Sequence, residues 1–355
     1  MTNATSVASE LLWFFERRAH AVSEQPELPR LAQHPTAPNQ QFNPNSLRSF
    51  IDSMGYDMAA PPYPTNTELE ATVIHVFETN RTIYGDDYLR PLQTLLELTC
   101  SYSEMAYHHH PLEIKVYISV YTTLLAAIDD DCERTPSAMI SQLTKFVTSF
   151  HKGPNEFKNP ILNHVHRLIT TETPKYFGPL STAAIIKGTL DCFIGWVIES
   201  KFPRGLSVPE SSSRFPRFLR WKTGDSEAYA LMMFPEALFP EELYLETYLP
   251  AIPEIIELVN GINDIMSFYK ESVVGTEENT FMMNTARLHK RDPVVVLEDF
   301  CQEQVQLTKE VVATLSLREE LKGIFEQFIK GYIMWHASQK RYRLGEIGIN
   351  PGASG

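Results

Sequence analysis

From Glu68 onward the chain keeps one hydrophobic rhythm almost to its end. Apolar residues recur at three- and four-residue spacing through 68–80, 86–106, 112–129, 136–151, 181–200, 215–233, 249–270, 293–315 and 317–345. That spacing puts them on one face of an α-helix. No stretch alternates apolar and polar residues between hairpin-turn signals, so little β structure is expected. Helices patterned this way must bury their stripes against one another. The expected architecture is an all-α bundle. Breaks fall near 152–160, with Gly153-Pro154 and Asn159-Pro160, and along the polar strip from Pro203 to Arg214.

The first fifth reads differently. Prolines at 26, 29, 35, 38, 44, 61, 62 and 64 confine any helix there to short pieces such as Leu47 to Met54. Three regions follow: a Pro-rich N-terminal segment (1–66) whose short helices pack on the bundle, a helical domain (67–348) and a tail (349–355). No internal repeat marks a second domain. A chain of 355 residues can bury about three quarters of its unfolded surface in a single one.

Charge and cysteine usage narrow the partners. The formal net charge of −13 argues against nucleic acid. An anionic ligand would have to be held by local cations. Cys100, Cys132, Cys192 and Cys301 show no CxxC spacing and suggest no disulfide framework, so a reducing, cytoplasmic compartment is expected. The apolar run Leu11 to Phe15 is too short for a signal h-region or a membrane span. No later run reaches the length of a span, and membrane insertion is not expected.

Two polar clusters interrupt the apolar helices. In Asn263-Asp264-Ile265-Met266-Ser267-Phe268-Tyr269-Lys270-Glu271, the residues Asn263, Ser267 and Glu271 stand at i, i+4 and i+8. On a helix they form a nearly straight row of oxygen donors. An amide, a hydroxyl and a carboxylate in a row suit a hard cation that shares its coordination with a phosphate. Lys270 could add positive charge for the same anion. The alternative is the polar face of a solvated helix. The second cluster, Asp129-Asp130-Asp131-Cys132-Glu133, ends the apolar run from Val116 to Ile128. Three aspartates there are costly unless something pairs with them. Asp129 and Glu133 share a face, with Asp130 beside them; the register ending in Arg134 would make a poor metal site. A helix running out into solvent is the alternative here.

Two metal-type helices 134 residues apart (263 − 129) resemble the class I terpene cyclases, which carry a DDxx(D/E) motif and a downstream N/D-D-x-x-S/T-x-x-x-E motif. Phe215-Pro216-Arg217-Phe218-Leu219-Arg220-Trp221-Lys222-Thr223-Gly224 is similar to a segment of the fungal trichodiene synthase family. So are the helix from Thr189 to Glu199 and the ending Gly331 to His336 followed by Arg341-Tyr342-Arg343-Leu344. Order and spacing agree over roughly 70% of the chain, from about residue 100 to residue 348.

The resemblance implies a helical bundle around a central apolar cavity and a sesquiterpene synthase acting on farnesyl diphosphate with Mg²⁺, three ions per site. It implies Asp129, Asp130 and Glu133 as metal ligands on one wall and Asn263, Ser267 and Glu271 on the other. Arg220, Lys270, Arg341 and Tyr342 would bind diphosphate, Arg220 as its sensor and Gly224 as a helix-break effector. Phe193, Trp196, Trp335 and Tyr121 are the aromatic candidates for contact with substrate, because ring faces stabilise carbocations. One departure concerns Thr122, which stands where the trichodiene enzymes have an aromatic. The implied product is a cyclic hydrocarbon or alcohol, trichodiene-like or longiborneol-like, and related enzymes often form homodimers. A chain-elongating prenyltransferase and an inactive isoprenoid-binding relative are the alternatives.

Other features weigh less. Consecutive residues His108-His109-His110 point in different directions on a helix, and Pro111 follows, so they read as a polar helix end. His336 reads as structural. No GxGxxG, Walker loop, G-x-S-x-G or H-E-x-x-H is present.

Overall fold

The computed structural model describes residues 42–153 and 157–352, all within one compact unit, Thr36–Gly355. The Leu11 to Phe15 run, the Pro-rich segment before Phe42 and residues 353–355 lie outside the described residues. Among the described residues there are helices and turns but no strand. The α-helices in order are α1 Pro44–Ser53, α2 Thr67–Tyr84, α3 Asp86–Gln93, α4 Leu96–Ala106, α5 Leu112–Arg134, α6 Pro136–Ser149, α7 Pro160–Arg167 and α8 Thr173–Tyr176. They continue with α9 Pro179–Lys201, α10 Phe215–Thr223, α11 Ser226–Leu231, α12 Glu241–Tyr248, α13 Ile252–Phe268, α14 Phe281–His289, α15 Pro293–Leu315 and α16 Glu319–Ser338. Proline in the first turn opens α1, α6, α7, α9 and α15, where its missing N–H costs nothing. Side chains of Asn43, Asn66, Asn159, Thr280 and Asp292 cap the helices that follow them.

Six of these helices close a ring. Helix α4 lies between α5 and α16, α13 between α16 and α11, and α9 between α11 and α5. Going round either way, α5 and α13 are three steps apart, so they are opposite walls. An outer layer braces the ring: α6 packs on α9, α15 on α13, and α1 on α15 through its buried Leu47, Phe50 and Ile51. Helix α9 has the length and apolar composition of a membrane span, yet here it is a wall of the bundle, flanked by α6, α10 and α11.

Several expected helices end early or divide. The stretch 86–106 splits into α3 and α4, just after Pro91, which has no N–H to give the helix. The stretch 215–233 breaks at Gly224 and Asp225. Helix α13 stops at Phe268 and passes into a π-helical turn, Tyr269–Val274. After α16 the chain makes two 3₁₀ turns, Lys340–Tyr342 and Leu344–Ile347. Helices α7, α8, α12 and α14 were not expected; at four to nine residues they have too few turns to display a period.

The crossing of α4 and α16 depends on one missing side chain. A Cβ on Gly331 would collide with the backbone carbonyl of Met105 and crowd Ala106 Cα at 3.0 Å. Gly331→Ala is therefore expected to destabilise the protein by about 1–3 kcal/mol. Gly323, on the same helix, is the control, because an added methyl would meet nothing within 4 Å. Gly323→Ala should be neutral or stabilising by about 0.5–1 kcal/mol. Denaturant melts of the two variants check this, and equal effects would mean the close crossing is not what selects glycine.

Candidate active site

Helix α5 carries Asp129, Asp130 and Glu133 in its last turns, all three solvent-exposed. Asp131 pairs with Arg134, so its charge is answered locally. Asp129 is reached by solvent yet walled in by protein on most sides, as a group facing a recess would be. This desolvation, with Glu133 and Asp130 adding repulsion, pushes its carboxyl up to about 6; the positive charges of Arg341 and Lys270 oppose the shift. Arg341 also opposes the upward shift of Asp130, which burial causes first. Neither cation belongs to the α5 wall. Both reach Asp129 from segments attached to the far side of the ring.

On that far side, Asn263 and Ser267 lie on α13, while Lys270 and Glu271 lie on the π turn that follows it. The straight α-helical row expected from i, i+4 and i+8 spacing is thus widened at its last member. Ser267 is buried, and its hydroxyl lacks a hydrogen bond of good geometry. It nonetheless stands near enough to Glu271 to oppose the upward shift of that carboxyl, which burial and then Glu277 drive to about 7. Lys270 Nζ lies 3.6 Å from Glu271 and 3.4 Å from Glu277. The π turn packs against the 3₁₀ turn that holds Arg341 and Tyr342. Arg341 is exposed, its guanidinium 5.7 Å from the ring centre of the buried Tyr342. Burial raises the Tyr342 phenol above its ordinary range, with Glu271 among the contributors.

Arg220, near the end of α10, is clamped to α13. Its Nε donates to both carboxyl oxygens of Asp264, at 2.8 and 2.9 Å, and its Nη2 donates to Asn263 Oδ1 at 3.0 Å. Burial works against its charge, but Asp264 overrides this and holds the guanidinium above its ordinary value. The other end of the Asn263 amide is held too. Its Nδ2 lies 3.2 Å from His336 Nε2, and His336 Nδ1 lies 2.8 Å from the Tyr332 carbonyl. Nδ1–H therefore donates to Tyr332, and Nε2 accepts from Asn263. Burial pushes His336 down to about 3, which keeps it neutral. His336, read as structural from the sequence, thus orients a candidate ligand.

Three further groups were not picked out from sequence. Asp264 is the partner of Arg220. Glu199, near the end of α9, is pushed up to about 8 by burial, with Arg220 opposing and Asp129 and Asp264 contributing; it sits between the two walls. Asp225, directly after Gly224, is buried and pushed up to about 8 by desolvation. The adjacency of Asp264 to Asn263 was a visible signal. Glu199 and Asp225 had none beyond an acid beside an apolar helix.

A Cβ on Gly224 would strike Asn260 Oδ1 and come within 2.8 Å of Arg220 Nη1, so a side chain there would displace Asn260 and Arg220. The aromatic candidates divide. Tyr121 on α5 and Trp335 on α16 join a cluster of rings inside the six-helix ring: Tyr102 lies 5.1 Å from Trp335, 5.4 Å from Tyr229 and 5.8 Å from Tyr332, and Tyr229 lies 5.9 Å from Tyr121. Phe193 instead lies in the seam between α9 and α6, 4.9 Å from Phe146, and Trp196 packs beside it with the two rings tilted at 30°. Thr122 accepts a hydrogen bond from the Tyr229 hydroxyl at 3.2 Å.

The three histidines diverge, as their positions implied. His108 stacks on Tyr63 at 4.0 Å, His110 bonds the Met232 carbonyl at 2.9 Å, and His109 is exposed at the turn. Among the described residues, no three His, Cys, Asp or Glu side chains converge to form a complete metal cage. The oxygen donors instead form two partial sets on opposed walls. An unpartnered buried hydroxyl at Ser267 and an amide oxygen held in place at Asn263 fit a cation that another ligand would help to coordinate.

Comparison with known proteins bears on the fold and the family. The linalool/nerolidol synthase from Streptomyces clavuligerus superposes with a TM-score of 0.52 at 14% identity, over 79% of this chain and 99% of that one. A point variant of cucumene synthase gives the same values. The fold is that of the all-α class I terpene synthases. The sequence profile of the trichodiene synthase (TRI5) family matches residues 88–352, and the chain belongs to that family. An (E)-beta farnesene synthase from Metarhizium brunneum is 29% identical over 304 residues, covering 85% of this chain and 88% of the relative. Longiborneol synthase from Gibberella zeae is 26% identical over 70% of this chain and 72% of its own length. Trichodiene synthase from Fusarium pseudograminearum is 30% identical over 49% and 46%. The chain is a terpene synthase by family.

The acidic groups of the site make stability depend on pH. Asp129, Glu199, Asp225 and Glu271 have folded values of about 6, 8, 8 and 7, above their ordinary 3.8 or 4.5. Each holds its proton more tightly folded than unfolded. Their stabilising contribution is whole below the ordinary values and is lost as pH rises through the folded ones. The melting temperature should therefore fall by several degrees between about pH 5 and about pH 8, and Glu271→Gln should flatten the fall. Circular dichroism melts across that range check it; a melting temperature rising over the window would mean these carboxyls are not desolvated.

Proposed function

We propose that this chain is a class I sesquiterpene synthase that ionises farnesyl diphosphate and closes the resulting cation to a cyclic hydrocarbon or alcohol. The observation that carries the reading is the position of Asp129 on α5 within the field of Lys270 and Arg341 from the opposite side. Two sets of oxygen donors and a set of cations would thus share one opening. Asp129, with Asp130 and Glu133, would hold metal on one wall; Asn263, Ser267 and Glu271 would hold it on the other. Magnesium bound there would neutralise the departing diphosphate, without which heterolysis beside an apolar interior would be prohibitive.

The chain's own residues do the rest. Arg220, Lys270, Arg341 and Tyr342 bind diphosphate oxygens, and the guanidinium fork suits that task because it can grip two oxygens at once. In the resting arrangement Arg220 occupies Asn263 Oδ1, the atom a cation would need. Drawing Arg220 onto diphosphate frees that oxygen, so anion binding and cation binding assist each other. Behind them, Tyr121, Tyr229, Tyr332 and Trp335 offer ring faces to a carbocation. The Asn263-Ser267-Glu271 row favours this reading over chain elongation, whose enzymes carry a second aspartate-rich motif.

Asp129→Ala, and Asn263→Ala combined with Ser267→Ala, should each lower Mg²⁺-dependent diphosphate release at least about a hundredfold, with helical circular dichroism unchanged. Gas chromatography–mass spectrometry with farnesyl, geranyl and geranylgeranyl diphosphates identifies the substrate. Full turnover in both variants would mean the ligand sets are misassigned. Incorporation of isopentenyl diphosphate would replace the cyclase with an elongating enzyme.

A further inference from the structure

Asp225 bears two costs at once. It is one of three non-glycine residues with positive φ among the described residues, at φ 49° and ψ 21°, a left-handed conformation that disfavours L side chains. Its carboxyl is also buried, only 4% exposed. Such a combination persists where surrounding contacts enforce it. Here the contact is Tyr121, whose hydroxyl donates to Asp225 Oδ2 at 2.6 Å and lies 2.8 Å from Thr189 Oγ1 on α9.

The surroundings give that contact a purpose. Before the break, α10 is fastened to α13: Arg220 to Asp264 and Asn263, and Trp221 Nε1 to Glu257. After the break, Ser226 Oγ accepts from Asn260 of α13 at 3.0 Å. Two side-chain hydrogen bonds run the other way, to α5: Tyr121 to Asp225, and Tyr229 to Thr122 at 3.2 Å. Gly224, between Arg220 and Asp225, is approached so closely by Asn260 and Arg220 that a side chain there would displace both. The helix break is therefore the seam between the α13 wall, where Arg220 rests, and the α5 wall, which carries Asp129.

We propose that Asp225 is a positioning residue: through Tyr121 it ties the break that follows Arg220 to the aspartate-bearing helix, and so sets Arg220 and Asp129 in register for ionisation of a prenyl diphosphate. The tie acts on the step after binding. Arg220 can leave Asn263 for the diphosphate without Asp225, but the break itself is then untied from α5, and only the Tyr229–Thr122 bond further along α11 is left to hold the anion between the two walls. A carboxyl whose charge is disfavoured by burial serves here as a neutral acceptor, and an amide could replace it. This inference rests on reading the site as one that turns over a prenyl diphosphate.

The experiment compares Asp225→Asn, Asp225→Gly, Tyr121→Phe and the double variant Asp225→Gly/Tyr121→Phe, using farnesyl diphosphate and Mg²⁺. Asn tolerates the left-handed conformation and still accepts from Tyr121, so its kcat should stay within about threefold of wild type. Gly keeps the backbone but loses the acceptor; Phe keeps the ring but loses the donor. Each should lower kcat about tenfold or more with little change in KM, and the double variant should be no worse than the more impaired single variant. The acyclic share of product should rise in both single variants. Wild-type kcat in Asp225→Gly or Tyr121→Phe overturns the proposal, as do multiplicative effects in the double variant. So does a KM rise at constant kcat, or failure of the Asn rescue. Should Asp225→Gly not fold, Tyr121→Phe and Asp225→Asn decide the matter, with melting temperatures showing that the assayed protein is folded. Absence of turnover in the wild-type chain would instead defeat the prenyl diphosphate reading itself.

Discussion

Asp129, Glu199, Asp264 and Glu271 bring four carboxyls to one end of the bundle, and each is held above its ordinary pKa by burial. Desolvated like charges of this kind are unfavourable by themselves. The six-helix ring limits the cost by keeping them on different walls, Asp129 on α5, Glu199 on α9 and the others on or just after α13. Only Asp264 has a direct guanidinium partner, at 2.8 Å. The rest form an anionic surround with cations at its rim, an arrangement that gains by taking up further positive charge.

Regular and irregular backbone divide the work at that end. Asp129, Asn263 and Ser267 sit on long helices, where packing on neighbouring elements fixes them. Several other candidate residues sit on irregular backbone or beside it. Arg220 is four residues before the break at Gly224; Lys270 and Glu271 belong to a π turn; Arg341 and Tyr342 belong to a 3₁₀ turn closed by Arg343 at φ 60°. A π turn re-aims side chains relative to the helix that precedes it and is frequent at functional sites. The packing of this π turn against the 3₁₀ turn places four of the candidate residues on two short segments.

The difference between these two kinds of backbone also explains what could be read from the chain. Apolar spacing gives the long walls, because burial of one helix face imposes its period on many residues. The ligand-type row at Asn263, Ser267 and Glu271 and the cluster at Asp129 were legible for the same reason: spacing on a helix is a geometric statement. The π turn was not, since one extra residue per turn alters hydrogen bonding without altering the apolar pattern. Nor was the clamp between Arg220 and Asp264, which joins residues 44 positions apart and follows only from helix packing. Phe193 and Trp196 lie on a motif-bearing helix, yet their ring partners are in the α6 seam; being on the right helix does not fix which side of it a residue faces. His336 illustrates the reverse, a buried histidine whose use depends on the amide beside it.

Inside the ring, the polar atoms of the aromatic residues are already engaged by the framework. Tyr107 donates to the Tyr229 carbonyl at 2.8 Å, Tyr121 to Asp225, Tyr229 to Thr122, Tyr332 to the Val259 carbonyl at 3.3 Å, and Trp335 Nε1 to the Leu98 carbonyl at 3.1 Å. These bonds fix the rings in place and keep the hydroxyls from serving as free nucleophiles. What remains to face the interior is the π surface, the one part of a tyrosine that attracts a cation without readily bonding to it. The interior therefore presents ring faces, while the charged groups gather at the polar end. The two halves are therefore separate in composition but joined through shared residues: Tyr121 belongs to the aromatic cluster and to the tie at Asp225, and His336 packs edge-on against Tyr332 at 4.4 Å while holding Asn263.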